Sequence, residues 1–231
     1  MIPQYDYDND GMVDMVLFYY AGENEAEGGP ADTIWPHSWN MTASDQAEIV
    51  NGNDFDGKII DNYFCTSELS LKVDYDNYTY WYDFCGIGTT CHEFGHSLGL
   101  PDFYDTDYET NGQAAGLFFF STMDSGSYNN NGRTPPYFNI EERILLGWLD
   151  EESALQEFPK NGSYTLLPVQ NDLAYKIPSD QEGEYFVLEC RDNQGWDSYL
   201  EGAKGLLVYH VDKSSRSISI NNYGNVTAQS L

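Results

Sequence analysis

The chain has 231 residues, 41 % of them hydrophobic, enough for one large or two modest buried cores; we read two domains. Ten basic against thirty-eight acidic residues leave a net charge of −28, which repels nucleic acid and anionic membrane and offers no basic groove for phosphates. The longest apolar runs, such as residues 16–20 and 117–120, fall far short of the roughly 18 residues that cross a bilayer, so membrane insertion is not expected.

At the amino end Asp6, Asp8, Asp10 and Asp14 alternate around Gly11 in a DxDxDGxxD loop. Alternate carboxylates and a glycine at a sharp bend gather hard oxygens around one point, the chemistry of a Ca2+ site, with Met12 contributing its backbone carbonyl. The twelfth position holds Leu17 where an EF-hand has glutamate, so the expected ion is structural and locks the entry to a strand over 13–20. Gly28, Gly29 and Pro30 then mark a loop. His37, between Trp35 and Trp39, reads as a hydrogen-bonded structural or cleft residue, and His210 as a strand residue; neither is counted as a metal ligand.

Residues 58–68 alternate as a second strand, and the aromatic cluster 78–82 suits either a core or a cleft wall. Cys65, Cys85, Cys91 and Cys190 lack a CxxC pair, which argues against a structural zinc knuckle. A disulfide from Cys65 to Cys85 or Cys91 and free buried thiols both remain open.

Residues 92–102 read HEFGHSLGLPD. On a helix, His92 and His96 project from one face and can bind one ion, while Glu93 stands beside it as a general base for an activated water. Gly99 suits a left-handed exit near Leu98, and Pro101 turns the chain back so that Asp102 becomes a third ligand. Asp105 is the rival for that place. Three protein ligands leave one position for water, the pattern of catalytic Zn2+. Downstream, residues 119–126 form a tight turn around Met123. Tyr128 follows it, within reach of an oxyanion or serving structure alone.

The HExxHxxGxxD string followed by a methionine turn resembles the metzincin clan of zinc peptidases, and HEFGHSLGLPDFYDT resembles the immune inhibitor A family of secreted bacterial metallopeptidases. That resemblance implies Asp102 over Asp105 as third ligand, Met123 as an apolar floor beneath the ion, and a strand before the helix that pairs with substrate at the cleft edge. It also implies a secreted or cell-surface bacterial enzyme acting on protein or peptide substrates. Members of the family carry a backing helix ahead of this chain's start, so the sequence reads as a piece of a longer precursor.

Residues 140–146 have helical spacing ended by Gly147, and beyond them 163–169, 173–178, 184–191 and 204–212 read as short strands. The expected architecture is α+β: a metzincin-like catalytic domain over 1–155, then an antiparallel β-sandwich over 156–231. The expected function is zinc-dependent endopeptidase. The alternative is a non-catalytic binding or adhesion module with structural metal sites, marked by a closed fourth coordination position or a plugged cleft.

Overall fold

The computed structural model describes residues 2–43, 57–74, 76–106, 116–159, 161–200, 204–213, 219–220 and 226–227. Its first sheet is built on β3 (Asn62–Asp74), thirteen residues long and the most buried strand of this layer. The strand β1 (Val16–Glu23) runs parallel to it, β2 (His37–Asn40) antiparallel, and β4 (Thr79–Phe84) pairs antiparallel with its carboxyl half.

Both β1 and β3 begin later than the sequence pattern suggests. Residues 12 and 59 form an isolated bridge, with Val13 donating to the Ile59 carbonyl at 2.8 Å and Ile59 to the Gly11 carbonyl at 3.0 Å. This bridge ties the acidic loop to residues 57–60 before regular pairing starts. A second difference concerns the cleft edge. Over Tyr63–Cys65, β3 is paired on one side with β1 and on the other with β2, so its ladder hydrogen bonds are already used. The strand expected to receive substrate is therefore the interior one.

The helix α1 (Ile87–Ser97) crosses one face of this sheet. Ser38 and Phe64, partners in the β2–β3 register, both point at it: Phe64 packs on Phe94 with ring centroids 5.7 Å apart, and the Ser38 and Ser97 hydroxyls lie 2.9 Å apart. The helix starts on Gly86, whose backbone is extended and which gives no side-chain cap, rather than on Thr89 or Thr90. A β-carbon on Gly86 would stand 2.0 Å from the Gly132 carbonyl, and one on Gly88 would stand 1.8 Å from the Ser127 oxygen. The Gly88 N–H donates instead to the Gly132 carbonyl at 2.7 Å, so two glycines let the helix dock directly on the loop that follows the methionine turn. At the far end Gly99 has φ +105° and Leu100 donates back to the Gly95 carbonyl at 3.0 Å, the left-handed exit that the sequence implies.

The second layer begins with α2 (Ile140–Leu145), opened by a reciprocal capping box between Asn139 and Glu142, and the short α3 (Glu151–Ala154). A sheet follows in the order β5 (Leu155–Glu157), β6 (Ala174–Pro178), β7 (Glu184–Arg191), β8 (Gly205–Asp212), with β5 parallel to β6 and the rest antiparallel. Ile140 and Ala154 share a buried core with Leu155, Val169, Ala174, Tyr185, Val187 and Tyr209.

Among the described residues no second sheet faces this one; the remaining pair, β9 (Ser219–Ile220) with β10 (Val226–Thr227), has two residues a strand. No β-sandwich is seen among the described residues: Ile140 and Ala154, from α2 and α3, pack in the core of this sheet. The segment 163–169 is not a strand either. Pro168 makes one isolated bridge to Cys190 and the chain then enters a 3-10 turn, because a proline has no N–H to extend a ladder. All four cysteines are free, which rules out the disulfide alternative.

Gly88→Ala should lower stability by about 3 kcal/mol or more, at the upper end of overpacking costs. Urea denaturation measures it, and a change within about 0.5 kcal/mol would contradict the docking contact.

Candidate metal centre

Helix α1 holds His92 and His96 on one face, and the exit through Gly99 and Leu100 brings Asp102 back toward them. His92 Nε2 and His96 Nε2 are 3.2 Å apart, and each is 3.2 Å from Asp102 Oδ1. A tetrahedral ion with bonds of about 2.0–2.1 Å requires ligand–ligand edges of about 3.3–3.4 Å, so the triangle fits one face of a zinc tetrahedron.

The protons on the imidazoles decide whether this fit has chemical meaning. His92 Nδ1 lies 2.9 Å from the Thr122 carbonyl and His96 Nδ1 lies 2.9 Å from the Leu100 carbonyl. A carbonyl only accepts, so each Nδ1 carries the proton and each Nε2 presents a lone pair. Asp102 Oδ1 is buried without a hydrogen-bond donor. Three acceptor atoms facing one another at this distance repel unless a cation lies between them.

When no ion is bound, a proton on an imidazole Nε2 takes the place of the cation that Asp102 faces, and the two rings then outweigh the cost of burial and hold its carboxyl well below the ordinary range. Glu93 is buried beside the ligands. Desolvation pushes its carboxyl upward, opposed by His92 and His96, and the net shift is up. Burial lowers the His96 imidazole while Asp102 raises it, and the partner wins. The first ring also stacks on Tyr104, with centroids 6.4 Å apart at 17°.

The methionine turn supports the helix from behind. Met123 is fully buried, and its sulfur packs so closely on Gly95 that a β-carbon there would come within 2.4 Å. Thr122, just before it, supplies the carbonyl that orients His92. Tyr128 ends the following 3-10 turn Ser125–Tyr128 and is exposed.

Other candidates lie elsewhere. Asp105 is not in the group of three. His37 approaches the Trp35 carbonyl at 2.8 Å, Tyr63 Oη at 3.0 Å and Cys65 Sγ at 3.3 Å. His210 pairs with Glu184 at 3.0 Å on the exposed side of β8.

In the amino-terminal loop Asp6, Asp8 and Asp10 present carboxylate oxygens within 4.8 Å of one another. Asp14 is not one of these three, and its Oδ2 accepts from the Tyr7 N–H at 2.9 Å. The Met12 N–H donates to Asp10 Oδ1 at 2.7 Å, and residue 12 bridges to residue 59. Asp6 accepts from Asp10 N at 3.0 Å and Gly11 N at 3.2 Å and forms a short ion pair with Lys58, which holds its carboxyl below the usual range. Nothing in the sequence pattern flags Lys58 as a competitor for that carboxylate, because 52 residues separate the two.

The model of the immune inhibitor A peptidase M6 catalytic domain matches residues 4–142, which include every residue of the metal centre and the methionine turn. The chain belongs to this peptidase family. It is 30 % identical over 167 residues to the pre-pro-metalloprotease PrtV of Vibrio cholerae serotype O1, covering 64 % of this chain and 17 % of that protein. It is 28 % identical over 146 residues to immune inhibitor A of Bacillus thuringiensis subsp. alesti, covering 58 % of this chain and 18 % of the relative. The family member described here thus spans less than a fifth of the length of these relatives. No solved structure matches the chain. Among its described residues no helix is long and apolar enough to cross a membrane.

Proposed function

We propose that this chain is the catalytic unit of a zinc-dependent endopeptidase that hydrolyses internal bonds of protein or peptide substrates. The observation that carries the reading is the 3.2 Å triangle of two imidazole nitrogens and one carboxylate oxygen, all three presented as lone pairs. Zinc in that triangle supplies a Lewis acid that lowers the pKa of a water toward about 7 and polarises a carbonyl.

The chain's own groups do the rest. His92 and His96 offer Nε2 because Thr122 and Leu100 fix the protons at Nδ1. Asp102 contributes the negative charge, and three protein ligands leave the fourth tetrahedral position to water and substrate. Glu93 accepts the proton of the attacking water and returns it to the leaving amine. Its buried setting favours the first half of this cycle, since desolvation makes its carboxylate a stronger base than that of an exposed glutamate. Met123 serves as the apolar floor behind the ligands.

The protein is read as working outside a bacterial cell. The name of the Vibrio relative, a pre-pro-metalloprotease, supports this, as does an acidic composition suited to divalent cations.

Glu93→Ala should keep zinc and lose casein cleavage by about 10²–10⁴-fold, whereas His96→Ala should lose both. A chelator should silence the wild type and added zinc restore it. Casein cleavage by the alanine variant at the wild-type rate would end the assignment.

Burial places the Glu93 carboxyl above its ordinary value, so its basic form disappears at a higher pH than for an exposed glutamate. In the metal-free chain the Glu93 carboxyl, followed by NMR, should therefore titrate with a midpoint above about 4.3. A midpoint at or below that value is the contrary result.

The acidic loop is read as a structural calcium site using Asp6, Asp8 and Asp10 together with Asp14 and the Met12 carbonyl. Support comes from the three converging carboxylates, and Lys58 competes for Asp6. Lys58→Met should therefore tighten calcium binding by roughly ten-fold, the equivalent of about 1.4 kcal/mol, in isothermal titration. Unchanged or weaker binding would contradict the competition.

A further inference from the structure

The Thr122 carbonyl fixes the tautomer and direction of His92, so whatever fixes that carbonyl also sets the metal centre. Ser121, Thr122 and Met123 are all buried, and the hydrogen bonds around them converge on one side chain. Ser121 Oγ accepts from the Met123 N–H at 3.0 Å, which closes the backbone around Thr122. The same hydroxyl donates to Glu142 Oε1. On the other flank Thr122 Oγ1 donates to the Pro136 carbonyl at 3.0 Å.

Glu142 is fully buried, although it opens a helix of only six residues. Its second oxygen accepts from the Asn139 N–H at 2.6 Å, while Asn139 Oδ1 accepts from the Glu142 N–H at 2.9 Å. A capping box works on the surface and needs no buried carboxylate. Removing this one from water is costly, and burial raises its carboxyl to about 7 against the pull of Ser121, Asn139 and Arg191. Desolvation without return is rare in a native fold, and among the described residues the hydrogen bond that this carboxylate makes beyond the cap goes to the hydroxyl that shapes the methionine turn.

We propose that Glu142 is a positioning residue for the metal centre: through Ser121 Oγ it holds the Thr122 carbonyl that orients His92. This rests on the zinc reading above and adds a residue to it, 50 positions from the histidine in sequence and in contact with neither ligand nor substrate. Glu142 acts on metal retention, and on catalysis only through it.

The test uses the full chain and measures the zinc dissociation constant by chelator competition, with the thermal midpoint of the metal-free protein alongside. Ser121→Ala and Glu142→Gln should each weaken zinc by about ten-fold, the lower end for outer-sphere partners. The double variant should be no weaker than the worse single one, because both break the same bridge. A structural cap alone predicts a lower thermal midpoint for Glu142→Gln with zinc affinity unchanged, and this would overturn the proposal. Should Glu142→Gln fail to fold, Ser121→Ala decides, since it cuts the bridge and leaves the capping box in place. A wild type that takes up no zinc would sink the zinc reading together with this one, whereas a zinc-binding wild type matched by Ser121→Ala overturns the bridge alone.

Discussion

Three lone pairs held 3.2 Å apart at a half-buried point are the constraint around which the chain is organised. Without a cation the arrangement is repulsive, and each acceptor has lost much of its water. The fold holds the three groups in place with backbone: one carbonyl behind each imidazole, one glycine exit that returns Asp102, and a methionine turn packed on the helix between the histidines. On the zinc reading, an ion at this point would relieve that repulsion, and its affinity would depend on how firmly the backbone holds the three groups.

The two layers contribute differently. The first sheet supplies a platform on which α1 lies, through Phe64 and Ser38. The second sheet reaches the site through buried polar contacts: Arg191 on β7, paired with Glu189 and Asp197, donates to the Tyr137 carbonyl at 3.1 Å, and Glu189 accepts from Ile140 N at 2.9 Å. The stretch 121–142 is therefore gripped by α1 at one end and by the downstream sheet at the other. Polar networks buried this completely favour one arrangement over its neighbours, because any partial rearrangement leaves a charge unpaired.

Much of the centre could be read from residue spacing because its geometry is helical and local. A four-residue step from one histidine to the next, a glycine three further on and a carboxylate three beyond that suffice to bring the three side chains together, and the left-handed Gly99 follows from the same pattern. What sequence spacing misses is non-local or made of backbone. The carbonyls of Thr122 and Leu100 have no side-chain signature, and the Ser121–Glu142 contact joins residues 21 apart. Alternation along 184–191 reports that one face of a strand is buried, but it cannot say what packs there, and among the described residues Ile140 and Ala154, each from a short helix, do. The acidic loop shows the same limit in another form: the spacing of its aspartates carries no sign of Lys58, which pairs with Asp6 from 52 residues away.

X-ray absorption at the zinc edge of the zinc-loaded chain tests the central claim most directly. The account predicts four nitrogen and oxygen neighbours at about 2.0–2.1 Å, two of them with the outer scattering of imidazole rings. A sulfur neighbour near 2.3 Å, or a shell without imidazole, would contradict it.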